Sequence, residues 1–140
     1  MKIILDTNIL ISALMKDSIT RKIIIDSSLE FFYPESSFKE IIKYESYILE
    51  KSGYDKETFH KILNKLLEYI NLVPLELIRS KVNEATKIMR KIDMKDVIFI
   101  AAALTINTDF IWSEDKDFEK QENIKILKTK DLADKFFKNI

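Results

Sequence analysis

The stretch Lys2-Ile3-Ile4-Leu5-Asp6-Thr7-Asn8 decides the fold class of this chain. Its apolar run Ile3-Ile4-Leu5 predicts a buried strand that ends at the carboxylate of Asp6, and a helix is predicted to start directly behind it. Ligands of open α/β sheets bind outside the carboxyl ends of the strands. The stretch therefore indicates an α/β protein with an acidic side chain at the edge of the sheet where ligands bind.

Short apolar runs alternate with helical periodicity along the rest of the chain. After the strand at residues 2–5, further strands are predicted at 30–33, 72–73, 110–112 and 124–127. Helices are predicted at 8–15, 18–27, 37–51, from Asp55 to about residue 70, 75–89, 95–106 and 129–138. This alternation predicts a three-layer α/β/α fold with a central parallel sheet of four or five strands. The length of 140 residues, with one glycine and two prolines, predicts a single domain over 1–140.

Composition excludes several kinds of chemistry. The chain has no cysteine and one histidine, which excludes disulfides, thiolate catalysis and a zinc site built from several histidines. The 23 basic residues balance the 23 acidic ones, which argues against a non-specific nucleic-acid coat but leaves room for a local basic rim. No apolar run approaches membrane-spanning length and no signal-peptide cleavage site follows the first strand, so we expect a cytoplasmic protein that binds no membrane.

Acidic residues stand at the ends of predicted strands and the starts of predicted helices, and each has a structural explanation when taken alone. Asp6 and Asp115 follow strands, where an Asp commonly caps the next helix. Glu40 stands three residues after Ser37, which is the spacing of a capping box. Asp96 lies in the first turn of a predicted helix, where its charge complements the helix dipole.

Taken together, the same acids predict a metal site. In a parallel sheet, the strand ends and the helix starts that follow them share one edge, so these side chains are expected to meet in one cleft. Carboxylates gathered there repel one another and raise one another's pKa values, and a bound divalent cation removes that repulsion. Ligation by Asp and Glu oxygens alone favours Mg²⁺ or Mn²⁺ over Zn²⁺.

Three segments occur in a distinctive order, with the predicted helix of Glu40 between the first two. They are Leu5-Asp6-Thr7-Asn8-Ile9-Leu10, then Asp96-Val97-Ile98-Phe99-Ile100-Ala101-Ala102-Ala103-Leu104, then Ile111-Trp112-Ser113-Glu114-Asp115-Lys116-Asp117-Phe118. This constellation, which extends over essentially the whole chain, resembles the PIN domain family of metal-dependent ribonucleases. The third segment is similar to prokaryotic, including archaeal, members of that family.

The resemblance implies roles for the acids and their neighbours. The implied catalytic and metal-binding residues are Asp6, Glu40, Asp96 and Asp115, with Asp117 and Asp93 ranked second. Whether Asp115 or Asp117 is the ligand stays open. Ser113 takes the place of a supporting hydroxyl that is often Thr in relatives, and Asn8 that of a hydrogen-bonding partner of Asp6 or of the substrate.

Basic residues near the acids are candidates for holding the substrate backbone, although most surface lysines are simply solvated. The candidates are Lys16, Lys39, Lys43 and Lys116, with Arg21, Lys22 and Lys95 beside them. His60 is interpreted as a surface side chain without a chemical role. The tyrosines and phenylalanines are interpreted mostly as core packing rather than as base-stacking platforms.

The resemblance implies a hydrolase that cleaves single-stranded or loop RNA, with one or two Mg²⁺ or Mn²⁺ ions activating a water and a 5′-phosphate left on the product. Many small stand-alone relatives are VapC-type toxins held inactive by an antitoxin, so a toxin–antitoxin pair is a further hypothesis. The middle helices, around residues 37–70, are explained by burial inside the monomer or by a homodimer or partner surface.

Three rival functions fit the sequence less well. A non-catalytic PIN-like module that binds RNA or protein usually lacks one or more acids, and none is missing here. A phosphoaspartate receiver domain usually carries an acidic pair early and its phosphorylated Asp on a middle strand, whereas Asp6 follows the first strand alone. A phosphatase of the haloacid dehalogenase type needs Asp-x-Asp after the first strand, and Asn8 stands where the second acid belongs.

Overall fold

A computed structural model of the protein describes residues 1–16, 18–89 and 94–136. Its strands are β1 (Lys2–Leu5), β2 (Glu30–Pro34), β3 (Ile70–Val73), β4 (Phe110–Trp112) and β5 (Lys125–Leu127). They form one sheet in the order β3-β2-β1-β4-β5, and every neighbouring pair is parallel. The prediction of a central parallel sheet of four or five strands is confirmed, and the sheet has five strands.

Helices flank this sheet, as the three-layer prediction requires. In the described residues they are α1 (Thr7–Leu14), α2 (Ile19–Asp26), α3 (Phe38–Lys43), α4 (Glu45–Ser52), α5 (Lys56–Leu67), α6 (Leu75–Ile78), α7 (Val82–Met89), α8 (Val97–Thr105) and α9 (Thr129–Phe136). Short 3₁₀ turns cover Glu35–Ser37, Arg79–Lys81, Met94–Asp96 and Phe118–Lys120. None of the helices in these ranges is long and apolar enough to cross a membrane.

The core is centred on β1 and α8. Ile3, Ile4 and Leu5 are all fully buried. Because successive strand residues point to opposite faces, β1 is covered on both sides, as a central strand of a parallel sheet should be. Helix α8 packs against β1, β2 and β4, and its buried run Ala101-Ala102-Ala103 carries side chains small enough for close approach to the sheet.

The predicted helix over residues 37–51 is in fact two helices that meet at Tyr44. The backbone of Tyr44 has φ −92° and ψ 4°, and its amide closes α3 by donating to the carbonyls of Glu40 and Ile41 at 3.1 and 3.2 Å. Helix α4 then ends as expected at Gly53, whose φ of +76° lies in the left-handed region that glycine adopts without strain.

Other predicted boundaries deviate by small amounts. The start of α5 is as expected, because Asp55 Oδ1 accepts a hydrogen bond of 2.7 Å from the amide of Thr58. The predicted helix at 75–89 is interrupted by the 3₁₀ turn Arg79–Lys81. The last helix is described up to Phe136, so the predicted positions 137 and 138 lie outside the described residues.

The register between β1 and β4 brings two parts of the candidate site together. Leu5 of β1 pairs with Trp112 of β4, and the amide of Asp6 donates to the carbonyl of Trp112 at 3.2 Å. Asp6 and Ser113, the residues that follow the two strands, are therefore neighbours at the carboxyl edge of the sheet.

Candidate metal centre

Asp6 has two structural duties at the end of β1. One carboxylate oxygen, Oδ1, accepts a hydrogen bond of 2.8 Å from the amide of Ile9 and so caps α1. The other oxygen, Oδ2, accepts a hydrogen bond from the hydroxyl of Ser113. The helix-cap explanation for Asp6 is therefore correct for one oxygen only, while the other faces the loop after β4.

Burial makes Asp6 an unusual carboxylate. The side chain is 5% exposed, and its pKa is raised from 3.8 to about 6, chiefly because burial disfavours the charged form. The hydrogen bonds from Ser113 and Ile9 lower the pKa, and the nearby charges of Asp115 and Glu114 raise it further. A cation beside this carboxylate would favour the charged form and offset the effect of burial.

Three other acids bring carboxylate oxygens close together. One oxygen each from Asp96, Asp115 and Asp117 lies within 4.8 Å of the others, and all three residues are partly buried. The Oδ2 atom of Asp96, at the start of α8, is inaccessible to solvent. This spacing allows a single hard cation to reach all three carboxylates.

Hydrogen bonds in the loop after β4 hold two of these acids. The amide of Asp115 donates to Ser113 Oγ at 3.0 Å, and the amide of Asp117 donates to Asp115 Oδ1 at 2.9 Å. Asp117 Oδ1 also lies 2.9 Å from the ammonium of Lys120. Asp117 therefore already has a cationic partner.

A cleft of about 200 Å³ opens at the carboxyl edge of the sheet beside these acids. The residues that line it are Asp6, Thr7, Asn8, Glu40, Tyr44, Lys95, Asp96, Phe99 and Asp115. The structure thus brings to one cleft the acids at positions 6, 40, 96 and 115, together with Asn8. Asp117 belongs to the carboxylate cluster but not to the lining, and Asp93 lies outside the described residues.

Glu40 does not take part in a capping box. In the described structure the side chain of Ser37 makes no capping hydrogen bond at the start of α3. Glu40 is exposed in the first turn of that helix and lines the cleft instead. The structural explanation for Glu40 therefore fails, although its spacing from Ser37 suited it.

A buried hydrogen-bond chain connects the start of α1 to the segment that carries Glu40. Thr7 Oγ1 lies 2.8 Å from the hydroxyl of Tyr33, and that hydroxyl donates to the carbonyl of Ser37 at 3.0 Å. Burial raises the pKa of Tyr33 well above its usual value, so the hydroxyl stays protonated. The chain thus connects Thr7, next to Asp6, with the residue that precedes α3.

The basic residues are distributed differently from the sequence-based candidates. Lys16, Lys39, Lys43 and Lys116 are exposed, and none of these four lines the cleft in the part of the chain that the structure describes. Lys95, named beside them, does line it. Arg21 is structural, because its guanidinium donates to the carbonyls of Ala13 and Met15 at 2.9 Å each.

Aromatic residues at the cleft were missed from the sequence. Phe99 and Tyr44 line it, and Tyr44 is 42% exposed, whereas the aromatic residues were expected mostly in the core. That expectation holds for Phe31, Phe59 and others but not for Tyr44 or for Tyr47 of α4. The available signal was the position of Tyr44, one helical turn after Glu40.

Comparison with known proteins identifies the family of this chain and supports its fold. The family model for the PIN domain matches residues 4–134, and the chain therefore belongs to the PIN domain family. No curated protein matches it. The chain is similar, with a TM-score of 0.65, to a chain in the crystal structure of VapBC2 from Rickettsia felis. That structure contains VapBC2 bound to a DNA fragment from its promoter. The two chains are 18% identical, and the match covers 91% of this chain and 98% of that one, which supports the fold.

Proposed function

We propose that this protein is a Mg²⁺- or Mn²⁺-dependent ribonuclease that hydrolyses RNA phosphodiester bonds at the acidic cleft. One observation carries the proposal. Four acids that are far apart in the sequence, Asp6, Glu40, Asp96 and Asp115, line a single small cleft at the edge of the sheet where α/β proteins bind ligands.

The donor set of the cleft suits a hard divalent cation. Its carboxylates offer oxygen ligands of the kind that Mg²⁺ and Mn²⁺ prefer. We assign Asp6, Asp96 and Asp115 as direct ligands and Glu40 as a ligand either directly or through water. The raised pKa of Asp6 supports the assignment, because a buried carboxylate that must be ionised needs a positive partner. Asp117, paired with Lys120, ranks behind them.

When bound, the divalent ion supplies a more acidic water and stabilises negative charge on the phosphate. The protein supplies the rest. Asp6 is held in one orientation by the Ile9 amide and the Ser113 hydroxyl. Glu40, which is exposed at the cleft, accepts a proton from the attacking water if it holds the ion through water and not directly. The P–O3′ bond breaks, and the departing 3′-oxygen takes a proton from solvent. Lys95 binds a non-bridging phosphate oxygen, and Asn8 hydrogen-bonds the RNA beside it.

The proposal is tested by cleavage of a single-stranded RNA oligonucleotide with Mg²⁺ or Mn²⁺ present, and of DNA with the same sequence. We expect Asp96→Asn and Asp115→Asn each to lower the cleavage rate on the order of 100-fold or more. Asp109→Asn is the matched control, because Asp109 is an exposed acid at the opposite end of β4. Full activity of Asp115→Asn would refute the proposal, and preferential cleavage of DNA would change the substrate class.

The same experiment separates the enzyme from its main rival, a non-catalytic PIN-like module. Such a module binds RNA or protein and leaves RNA intact at every metal concentration. The four acids that line the cleft favour the enzyme, since a module that only binds has no need for several carboxylates that repel one another.

Similarity to a chain of VapBC2 supports a further proposal about partners. We propose that the protein acts as a toxin and is held inactive by an antitoxin protein, with a homodimer as an additional assembly. Expression of the wild type, but not of Asp115→Asn, is expected to arrest growth of a host cell. Light scattering of the purified protein measures whether it is a dimer. Normal growth during expression of an active nuclease would contradict the toxin role.

A further inference from the structure

A second groove adjoins the acidic cleft. Its volume is about 430 Å³, and it is lined by Asn8, Ile11, Ser12, Met15, Tyr44 and Tyr47. Asn8 and Tyr44 line both spaces. The two spaces therefore lie on either side of Asn8 and Tyr44, so that a ligand bound in one is next to the other.

The tyrosines of this groove are poorly accounted for by packing. Tyr44 is 42% exposed and Tyr47 is 48% exposed. Tyr47 and Lys51, four residues apart, lie on one face of α4, and Tyr44 is the residue that precedes this helix. The ammonium of Lys51 is 6.0 Å from the centre of the Tyr47 ring. The surface formed by Tyr44, Tyr47 and Lys51 thus combines two exposed aromatic rings with a positive charge.

We propose that the groove binds a nucleobase of the single-stranded RNA next to the phosphate held in the acidic cleft, an inference that rests on the proposed ribonuclease function. The base stacks on Tyr44, or between Tyr44 and Tyr47, against the apolar side chains of Ile11 and Met15. Stacking of unpaired bases on aromatic rings is a general means of holding single-stranded nucleic acid. The amide of Asn8 offers both a donor and an acceptor to the edge of the base.

Charge and size favour RNA over a protein segment in this groove. The ammonium of Lys51, beside the Tyr47 ring, offers a positive charge to a neighbouring phosphate of the RNA strand. A volume of about 430 Å³ lies in the range of small organic ligands. A stable protein partner needs an interface of about 1,000 Å² or more, far beyond the side chains that line this groove.

The test measures binding and cleavage by Tyr44→Leu and Tyr47→Leu, which keep apolar bulk but lose the aromatic face. We expect each to weaken binding of a labelled single-stranded RNA about 5- to 150-fold, the range for loss of one base–aromatic stack. The effect should appear in Kd and KM more than in kcat. Tyr44→Phe and Tyr47→Phe keep the ring and should bind within about twofold of the wild type.

Tyr69→Leu is the matched control. Tyr69 is 37% exposed and has the ammonium of Lys65 at 5.6 Å from its ring, which resembles the pair formed by Tyr47 and Lys51. It precedes β3 and so lies at the amino ends of the parallel strands, whereas the acidic cleft lies at their carboxyl ends. We expect its loss to leave RNA binding unchanged, and thermal melting checks that all variants remain folded.

A substrate without one base supplies the decisive comparison. If Tyr44 stacks on the base beside the scissile phosphate, removing that base should weaken wild-type binding and make Tyr44→Leu equal to the wild type. If both leucine variants bind RNA as tightly as the wild type, the inference is overturned, and a protein segment becomes the alternative ligand of the groove. A loss that persists undiminished on every abasic substrate would overturn it too.

The design also separates this inference from the proposed function. Binding is measured on an Asp115→Asn background, where no cleavage is needed. If the wild type cleaves RNA and the tyrosine variants bind normally, only the base site fails. If the wild type never cleaves RNA but the tyrosine variants lose RNA binding, the ribonuclease proposal fails and the base site stands.

Discussion

Ser113 and Asp6, which directly follow the neighbouring strands β4 and β1, are joined by a hydrogen bond in which the Ser113 hydroxyl donates to Oδ2 of Asp6. The bond follows from the register, because Leu5 pairs with Trp112 and the next residue on each strand meets the other. The same hydroxyl accepts a hydrogen bond from the amide of Asp115 at 3.0 Å. One small side chain thus connects two of the proposed metal ligands.

Removing this hydroxyl should shift the pH dependence of metal binding. The Ser113 hydrogen bond lowers the pKa of Asp6, so Ser113→Ala should raise that pKa above about 6 and require a higher pH before the carboxylate ionises. The measurement is the increase in Tm caused by Mn²⁺, recorded between about pH 5.5 and 8.5. We expect the midpoint of Ser113→Ala to move to higher pH.

Ser113→Thr keeps a hydroxyl at the same position and is the control. Its pH profile of the Mn²⁺-induced increase in Tm should follow that of the wild type. Because position 113 is fully buried, thermal melting without metal checks that the added methyl group fits. Identical profiles for Ser113→Ala and the wild type would show that the hydroxyl does not influence ionisation of Asp6.

Asp6 itself should make the metal-free protein less stable as the pH rises. Its pKa is 3.8 in the unfolded state and about 6 in the folded state, so folding favours the protonated form. The resulting stability is fully present below about pH 4 and is lost as the pH rises through about 6. At about 1.4 kcal/mol per pKa unit, the loss is about 3 kcal/mol. In EDTA at pH 8, Asp6→Asn should therefore resist urea better than the wild type.

Asp55 provides a control of opposite sign. Its pKa is lowered, first by the hydrogen bond from the backbone amide of Thr58. Its contribution to stability is therefore present above the unfolded pKa and is lost as the pH falls through the folded pKa. Asp55→Asn should lower stability relative to the wild type at neutral pH and not at low pH. A stabilisation by Asp6→Asn that is independent of pH would contradict the account of Asp6.

The sheet and the meeting of the acids could be predicted because they depend on local patterns and one general rule. Apolar runs identify the strands, and parallel strands share a carboxyl edge, which places Asp6 beside the loop of Asp115. The break at Tyr44 has no such signal. Ile41 and Ile48 are fully buried and seven residues apart, a spacing that one continuous helix also produces. The exposure of Tyr44 and Tyr47 depends on tertiary packing, which the spacing of apolar residues does not reveal.

The proposed ranking of Asp115 before Asp117 as a metal ligand could not be argued from the sequence. The two residues are separated by one position in the sequence, and both have oxygens in the carboxylate cluster. Only the structure reveals that Asp117 pairs with Lys120 while Asp115 lines the cleft. The ranking of these two residues as metal ligands depends on where their side chains lie, and their separation in the sequence cannot determine that.

Stability measurements with metal can rank the ligands without an activity assay. A ligand that binds only the folded state adds about 2.7 kcal/mol at 100 times its Kd. Mn²⁺ should therefore raise the Tm of the wild type by several degrees. We expect Asp96→Asn and Asp115→Asn to lose most of this increase, and Asp117→Asn to lose less because Asp117 already has a cationic partner.

Asp109→Asn should keep the whole increase in Tm caused by Mn²⁺, since Asp109 is exposed at the amino end of β4, away from the cleft. An equal loss in all the aspartate variants would indicate non-specific binding of Mn²⁺ to a negative surface. A larger loss for Asp117→Asn than for Asp115→Asn would reverse the ranking of these two residues.

Tyr33 should position the cleft through its hydrogen bonds and not through contact with RNA. Its hydroxyl bridges Thr7 Oγ1 and the carbonyl of Ser37 in the interior. Tyr33→Phe leaves that carbonyl without its buried donor, which should cost about 1–3 kcal/mol in the free energy of unfolding. Because Ser37 precedes the helix that carries Glu40, the variant should also lower kcat for RNA cleavage more than it changes KM.

A double-mutant cycle separates this positioning effect from general loss of stability. Thr7→Val removes the other end of the hydrogen-bond chain with little change in volume, so its effect and that of Tyr33→Phe should not add. Coupled residues of this kind show interaction energies of about 0.5–3 kcal/mol. Urea unfolding and cleavage rates of both single variants and the double variant supply the cycle. Simple additivity in both measurements would mean that Thr7 and Tyr33 act independently, and that this chain does not hold Glu40 in place.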